Sequence, residues 1–155
     1  MRLWRASTGQ GTDAEEGTAA LEFILAGLVL LVPIVYLVIA LGAIQGQSLG
    51  VEAGARHIAR AVATASDPAT AADRADRVLA AIVEEYDLDA GSVEVSLRCT
   101  PVGAACPDAG ATLVVTVAVD VALPLVPPVL GLERLARVPV ASTAVQKVSR
   151  TWGVG

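Results

Sequence analysis

The chain has 155 residues, a length that suits one modest domain with an appendage and excludes a large catalytic fold. Hydrophobic residues make up 54% and charged residues 17%, whereas soluble domains have about 45–50% and about 25%, so we expect a membrane segment and a membrane partner. The net charge is −5 and Lys147 is the single lysine, so no basic stripe is available for phosphates and we expect no nucleic-acid partner.

The N-terminal third contains the membrane segment. Residues 1–17 are polar and aperiodic, which predicts a disordered leader. Residues 23–44 contain no charged side chain, and these 22 positions rise about 33 Å as a helix, enough to cross a hydrocarbon core of roughly 30 Å. We therefore predict a transmembrane helix over residues 18–45, with Pro33 as a tolerated kink. A cleaved secretory signal is the competing interpretation, but its apolar region is only about 7–15 residues long.

The helical pattern continues beyond the span. Charged residues follow one another at i, i+4 spacing on one face, and apolar residues occupy the other, which predicts a helical continuation over residues 46–66. The charged residues of this face are Glu52, Arg56 and Arg60. Asp67 followed by Pro68 predicts the N-cap and first position of a second helix, which ends before Gly91.

The remaining residues change to a period of two, which predicts strands. Apolar and polar residues alternate over residues 93–98, again over residues 113–121, and more briefly over residues 138–144. Residues 123–132 contain three prolines and cannot form a central strand. Their exposed Leu and Val side chains contact a partner or the membrane surface, or else they pack under the sheet.

Two cysteines bracket a loop rich in Pro, Gly and Ala between the first two predicted strands. The spacing of Cys99 and Cys106 suits a disulfide that closes this hairpin, and such a bond favours an extracytoplasmic location after about residue 45. Two unrelated, reduced cysteines are the alternative. Charge does not settle the orientation, because arginines flank both sides of the span: Arg2, Arg5, Arg56 and Arg60.

These elements predict an α+β protein with a long N-terminal transmembrane helix, a short second helix and a small antiparallel sheet of about three strands. We expect a leader over residues 1–17, the span over residues 18–45, an extracytoplasmic helical continuation over residues 46–66 and an α+β head over residues 67–155.

An acidic residue, Glu22, stands at the start of the span, where a charge is costly and requires a partner. If the chain were cut after Gly17, the new α-amino group of Thr18 would lie four positions before Glu22 on the same helix face. The two charges would pair within one chain or between neighbouring helices, and the second arrangement would set the axial register. The alternative is that Glu22 lies at the water interface and has no role.

Four glycines recur every four residues along one face of the continued helix: Gly42, Gly46, Gly50 and Gly54. Each glycine costs about 1 kcal/mol in a helix interior, so the repeat requires a reason. Small residues at this spacing allow another helix to approach closely, which favours helix packing and homo-oligomer formation through this face. The alternative is a flexible joint at the membrane exit.

The sequence offers little for catalysis. Gly46, Ser48 and Gly50 match the hydrolase pattern G-x-S-x-G, but the preceding segment is the membrane helix and His57 follows on the same helix. We find no phosphate-binding lysine motif, no zinc ligand set and no carboxylate pair with a cleft, so we expect no enzymatic activity, catalytic residue, cofactor or metal. The acidic residues of the second helix predict a solvated face, with weak calcium binding as the alternative.

Three segments carry a resemblance to a known family: residues 15–23 (EEGTAALEF), 31–37 (LVPIVYL) and 53–61 (AGARHIARA). They resemble the TadE-like family of the tight-adherence pilus system, in its high-GC actinobacterial branch, and the likeness extends more loosely through the cysteine loop and residues 123–127. This chain has Glu15 and Glu16 where many members carry basic residues.

The resemblance implies a pilin-like protein that a prepilin peptidase cuts between Gly17 and Thr18 on the cytoplasmic side, with Glu22 guiding assembly. It implies a single-pass pseudopilin-like subunit or factor for a Tad-type pilus or secretion apparatus, held in the cytoplasmic membrane with its N-terminus inside. Other pilin-like subunits or Tad assembly proteins would be its partners. The alternative function is an unprocessed bitopic envelope adaptor with an extracytoplasmic interaction domain, and a third is a membrane-tethered hydrolase using Ser48.

Overall fold

The structure is a computed structural model that describes residues 13–101, 106–127 and 129–152. Its elements in chain order are α1 (Asp13–Ala63), α2 (Pro68–Glu85), β1 (Glu94–Thr100), β2 (Thr112–Ala122), α3 (Leu132–Leu135) and β3 (Arg137–Lys147). The predicted α+β class, with a long apolar N-terminal helix, a short helix and a three-stranded antiparallel sheet, is confirmed.

The boundaries of α1 differ from the predicted ones at both ends. The helix begins at Asp13, so residues 13–17 of the predicted leader are helical, and residues 1–12 lie outside the described residues. Acidic residues are favourable in the first turns of a helix, where the macrodipole is positive, and this segment carries three of them. The helix ends at Ala63 rather than at residue 66, because Asp67 precedes a proline and is extended (φ −155°, ψ 166°).

Two compact units make up the chain, residues 1–39 and residues 40–155. The first contains the N-terminal part of α1. The second, which we call the head, contains the rest of α1, α2, the sheet and α3. Within the head, the C-terminal part of α1 contributes buried residues to the core.

The second helix begins as predicted. Asp67 is its N-cap and accepts a hydrogen bond from the Thr70 backbone N–H at 2.8 Å, and Pro68 follows at the first helical position. The helix ends at Glu85, and the backbone N–H of Tyr86 donates to the Ile82 carbonyl at 3.0 Å.

The sheet has the order β1-β2-β3, so β2 is central and pairs antiparallel with both neighbours. Its apolar side chains on one face are buried: Leu113, Val115, Val117, Val119 and Val121. They pack in one core with apolar residues of α1, namely Val51, Ala55, Ile58, Ala59 and Val62. On the opposite face of the sheet, the hydroxyls of Thr116 and Thr143 are hydrogen-bonded across strands at 2.9 Å, and Val145 is exposed.

The proline-rich connection between β2 and β3 is not a strand, as predicted, and it contains the short helix α3. Leu125 is 77% exposed and Leu130 is 98% exposed, so these two side chains do not pack under the sheet. Contact of these two side chains with a partner or a membrane surface stays a prediction.

Candidate functional site

One helix among the described residues is long and apolar enough to cross a membrane, and it is α1. Its large apolar side chains from Leu21 to Leu41 are 46–80% exposed. Exposing such side chains to water is unfavourable by roughly 25 cal/mol for each Å² of apolar surface, whereas lipid accepts them. By length and composition, this part of α1, near the N-terminus, is long and apolar enough to cross a membrane.

The residues expected at the processing site all lie within α1. Gly17, Thr18 and Glu22 occupy its N-terminal part, and the side chains of Thr18 and Glu22 are exposed. Because they are separated by four positions, they lie on one face about one turn apart. Within the described residues, the Glu22 carboxylate forms no ion pair or side-chain hydrogen bond.

The glycine face divides into two halves with different surroundings. A Cβ placed on Gly42 or Gly46 would meet nothing within 4 Å. A Cβ on Gly50 would lie 2.5 Å from Cγ of Tyr86, and one on Gly54 would lie 3.4 Å from Cγ2 of Ile82. The inner pair, Gly50 and Gly54, therefore allows α2 of the same chain to approach α1. The outer pair, Gly42 and Gly46, is open. The helix is continuous across all four glycines, so they do not interrupt it.

The predicted disulfide is present between Cys99 and Cys106, with 5.5 Å between the Cα atoms. Cys99 belongs to β1 and pairs with Leu113 of β2, so the bond closes the hairpin beside the sheet. This geometry excludes the alternative of two unrelated cysteines, and it is compatible with an oxidising compartment.

Two carboxylates of the head have lowered pKa values. The Thr70 hydroxyl, the Thr70 backbone N–H and the Ser66 hydroxyl all donate to Asp67 and lower its pKa from 3.8 to about 2. The backbone N–H of Gly91 and the Arg137 guanidinium donate to Asp89 and hold its pKa below the usual value.

An apolar groove of about 390 Å³ lies between α2 and β1. Among the residues that line it are Ile58, Val62, Ala75, Leu79, Val95 and Leu97, and Asp76 is the single charged one. Apart from Asp76, the described lining is mostly apolar, and its Cys106 belongs to the disulfide, so the groove suits apolar contact.

The residues of the hydrolase pattern do not assemble into a site. Ser48 and His57 both lie on α1, nine positions apart, which places them about 13 Å apart along the axis and outside hydrogen-bonding reach. Among the described residues, no group of three or more His, Cys, Asp or Glu is arranged to hold a metal ion.

Two contacts of the head were not anticipated from the sequence. Tyr86 covers Gly50, and Arg137 forms an ion pair with Asp89 at 3.1 Å. The glycine repeat indicated close packing at Gly50, but it did not identify Tyr86 as the side chain that packs there. The second joins residues 48 positions apart, and local patterns carry no signal for it.

Comparison with protein-family models, with curated proteins and with solved structures finds no match for the chain in any of the three.

Proposed function

We propose that the chain is a non-enzymatic, single-pass pseudopilin-like subunit or factor that acts in the assembly of a Tad-type pilus or secretion apparatus by helix packing. The observation that carries the proposal is the division of α1. Its first part exposes large apolar side chains over some 20 residues, and its second part supplies buried residues of the head. One helix thus serves as anchor and as core, which suits a subunit that packs through its N-terminal helix while presenting a folded head.

The resemblance of residues 15–23 to prepilin sequences supports processing between Gly17 and Thr18 by a prepilin peptidase. A new α-amino group at Thr18 would stand one helical turn from Glu22, whose carboxylate is without an ion pair in the described residues. In lipid, such a carboxylate is stabilised by a cation, and the α-amino group of a neighbouring chain supplies one. This pairing would align the helices axially.

The two outer glycines support packing between helices. Gly42, near the end of the proposed span, and Gly46, directly after it, are open, and small residues at i, i+4 let a second helix approach closely. The proposal places the head outside the cytoplasmic membrane, and the Cys99–Cys106 disulfide supports that side.

The first test is mass spectrometry of the N-terminal peptide and of the intact protein, extracted from the membranes of the host that encodes it, with and without thiol alkylation. We expect a chain that begins at Thr18, with both cysteines unavailable to alkylation. A chain that keeps its original N-terminus with the cysteines paired would overturn processing and favour the unprocessed bitopic adaptor.

The second test concerns Glu22. We expect Glu22→Ala to abolish incorporation into pili or the secretion apparatus while membrane insertion is retained, and Glu22→Gln to do the same because it also lacks the charge. Glu52→Ala, a matched change on the same helix beyond the span, should leave assembly intact. Normal assembly of Glu22→Ala would contradict the register role and again favour the adaptor.

A further inference from the structure

The groove between α2 and β1 leaves part of the apolar face of the sheet uncovered within the head. It has a volume of about 390 Å³, and its walls come from α1, α2, β1 and the disulfide. Leu97 of β1 lines it and lies on the core face of the sheet, since it pairs with the buried Val115. The Leu97 side chain is nevertheless exposed, so the groove has room for a further apolar group beside it.

The lining of the groove suits an uncharged apolar side chain. Ala72 and Ala75 of α2 are small and leave space above them, and Asp76 is the single charged residue of the lining. Asp76 is exposed and forms no ion pair within the described residues. Its carboxylate therefore stays in water at the rim, and filling the groove desolvates no charge.

The described residues 129–135, between β2 and β3, form a projection of matching character. Leu130 and Leu135 are almost entirely exposed, and residues 121–132 contain no charged side chain. Arg134 is ion-paired with Glu133 within the projection itself. The projection therefore offers large apolar side chains and carries no unpaired charge.

The backbone at Leu130 opposes a leucine. Its φ of 56° lies in the left-handed region, which glycine or asparagine adopts far more readily. The leucine side chain gains no burial within its own chain in return. An apolar contact with another molecule accounts for a leucine at this position.

The projection and the groove of one chain lie at different levels of the sheet. The projection follows the end of β2 at Ala122. The groove is lined by Val95 and Leu97, which pair with β2 positions 117 and 115. Five to seven residues of strand separate the two levels, a distance of about 17–23 Å. A second copy of the head, shifted along the strands by about this distance, brings its projection level with the groove.

The size of the contact suits a repeated arrangement rather than an isolated pair. Burying one leucine or valine removes on the order of 60–120 Å² of apolar surface from water. The exposed side chains of the projection, with a similar area of the groove, give about 400–700 Å² in total, whereas stable interfaces bury about 1,200–2,000 Å². The contact is therefore weak alone and becomes effective when copies are already held together.

We propose that the projection of one copy enters the groove of a second copy, with the Leu130 side chain between α2 and β1. Each copy offers one projection and one groove, so the contact is heterologous and repeats along an open row of heads. It deepens the proposed function by naming a contact between neighbouring heads, and it rests on that function only in requiring copies held close together. It depends neither on processing at Gly17 nor on Glu22.

The experiment is cross-linking of two differently tagged full chains, mixed in detergent at high protein concentration. One chain carries Arg134→Cys on the projection, and the other carries Ala72→Cys at the groove. Arg77→Cys, which lies on the opposite side of α2 and is also exposed, replaces Ala72→Cys in the matched control. A short bis-maleimide joins the introduced thiols, because the Cys99–Cys106 disulfide leaves no free native thiol.

We expect R134C to cross-link with A72C about tenfold more than with R77C, and neither R134C nor A72C to cross-link well with itself. Equal yields with A72C and R77C would show that the projection does not select the groove. A dominant R134C pair would indicate a symmetric contact between projections. Either result overturns the proposal.

The role of the side chain is tested by adding Leu130→Asn to the R134C chain. Asparagine suits the left-handed backbone, so thermal unfolding should occur at an unchanged or higher temperature, while the cross-linking yield with A72C falls about tenfold. Val145→Thr, which trims an exposed apolar side chain on β3, should leave the yield unchanged. An unchanged yield with L130N would overturn the proposal. Processing and the effect of Glu22→Ala are measured separately, so this failure would leave the proposed function standing.

Discussion

Asp67 shows how one side chain defines the start of an element. Its carboxylate accepts hydrogen bonds from the Thr70 hydroxyl at 2.6 Å, the Thr70 backbone N–H and the Ser66 hydroxyl, and these donors favour the ionised form. The corner between α1 and α2 therefore depends on a charge as well as on the backbone conformation that Pro68 requires.

The lowered pKa of Asp67 predicts a pH dependence of stability. Because the folded pKa is about 2 and the ordinary value is 3.8, the ionised form stabilises the fold fully above about pH 4. We expect this contribution to be lost as the pH falls from about 4 to about 2, with Asp89 acting in the same direction. Thermal unfolding of the detergent-solubilised protein across this range measures the effect. Asp67→Asn keeps a capping side chain without the charge, so it should weaken the dependence of the unfolding temperature on pH. An unchanged dependence in this variant would contradict the prediction.

Gly50 and Gly46 offer a matched pair on one helix. Alanine is favoured over glycine in a helix by about 1 kcal/mol, so Gly46→Ala, in open space, should leave the free energy of unfolding unchanged or raise it by up to that amount. Gly50→Ala should lower it by about 1–3 kcal/mol, because the new Cβ would overlap Cβ and Cγ of Tyr86, which have little freedom to move away. Urea unfolding followed by circular dichroism compares the two. If the two variants change the free energy of unfolding equally, the packing of α2 against α1 does not require glycine at position 50.

At the scale of elements, the β1–β2 hairpin combines a disulfide with limited packing of its edge strand. β1 is an edge strand whose side chains are exposed or half-buried, including Leu97 at 40% exposure, so it buries little apolar surface. The Cys99–Cys106 bond compensates by restricting the unfolded chain.

Removal of that bond should have a measurable cost. The double change Cys99→Ala and Cys106→Ala opens a loop of about 8 residues, for which chain entropy predicts a loss of about 2.5 kcal/mol in the free energy of unfolding. Reduction of the unaltered protein with dithiothreitol is the control and should reproduce most of the loss. If both treatments leave urea unfolding unchanged, the hairpin is held by other contacts.

Elements with strong local signals could be predicted, and their partners could not. The Asp67-Pro68 pair fixed the start of α2, and the alternation of buried valines marked β2, because capping and period-two burial are local in the chain. The contact of Gly50 with Tyr86 depends on residues 36 positions apart, and one sequence holds no record of such a pairing. The exposed, left-handed Leu130 also opposes local preference, so neither its backbone nor its exposure could be inferred. Processing at Gly17 and a role for Glu22 remain predictions.

At the scale of the whole molecule, the glycine face has two halves along one helix. Gly50 and Gly54 are contacted by α2, whereas Gly42 and Gly46 are open, and it is this open half that we propose for contacts between chains. A change at Gly50 would therefore disturb the head and obscure any effect on association.

Association should accordingly be tested at the outer pair. We expect Gly42→Leu with Gly46→Leu to raise the dissociation constant for self-association in lipid vesicles about tenfold, which corresponds to about 1.4 kcal/mol. Energy transfer between differently labelled copies measures it. Gly27→Leu, also in open space on α1, is the control and should associate normally. Unchanged association of the double variant would exclude this face as a contact between chains.

The core shared by α1 and β2 has a consequence for the order of events during synthesis. The apolar face of α1 around Ile58 and Val62 is completed only when residues 113–121 become available, about 50 residues after α1 has been made. At a synthesis rate of about 5–20 residues per second, this face waits for about 3–10 seconds before its cover arrives. The nascent chain therefore passes through a period in which the apolar face of the C-terminal part of α1 has no sheet to bury it.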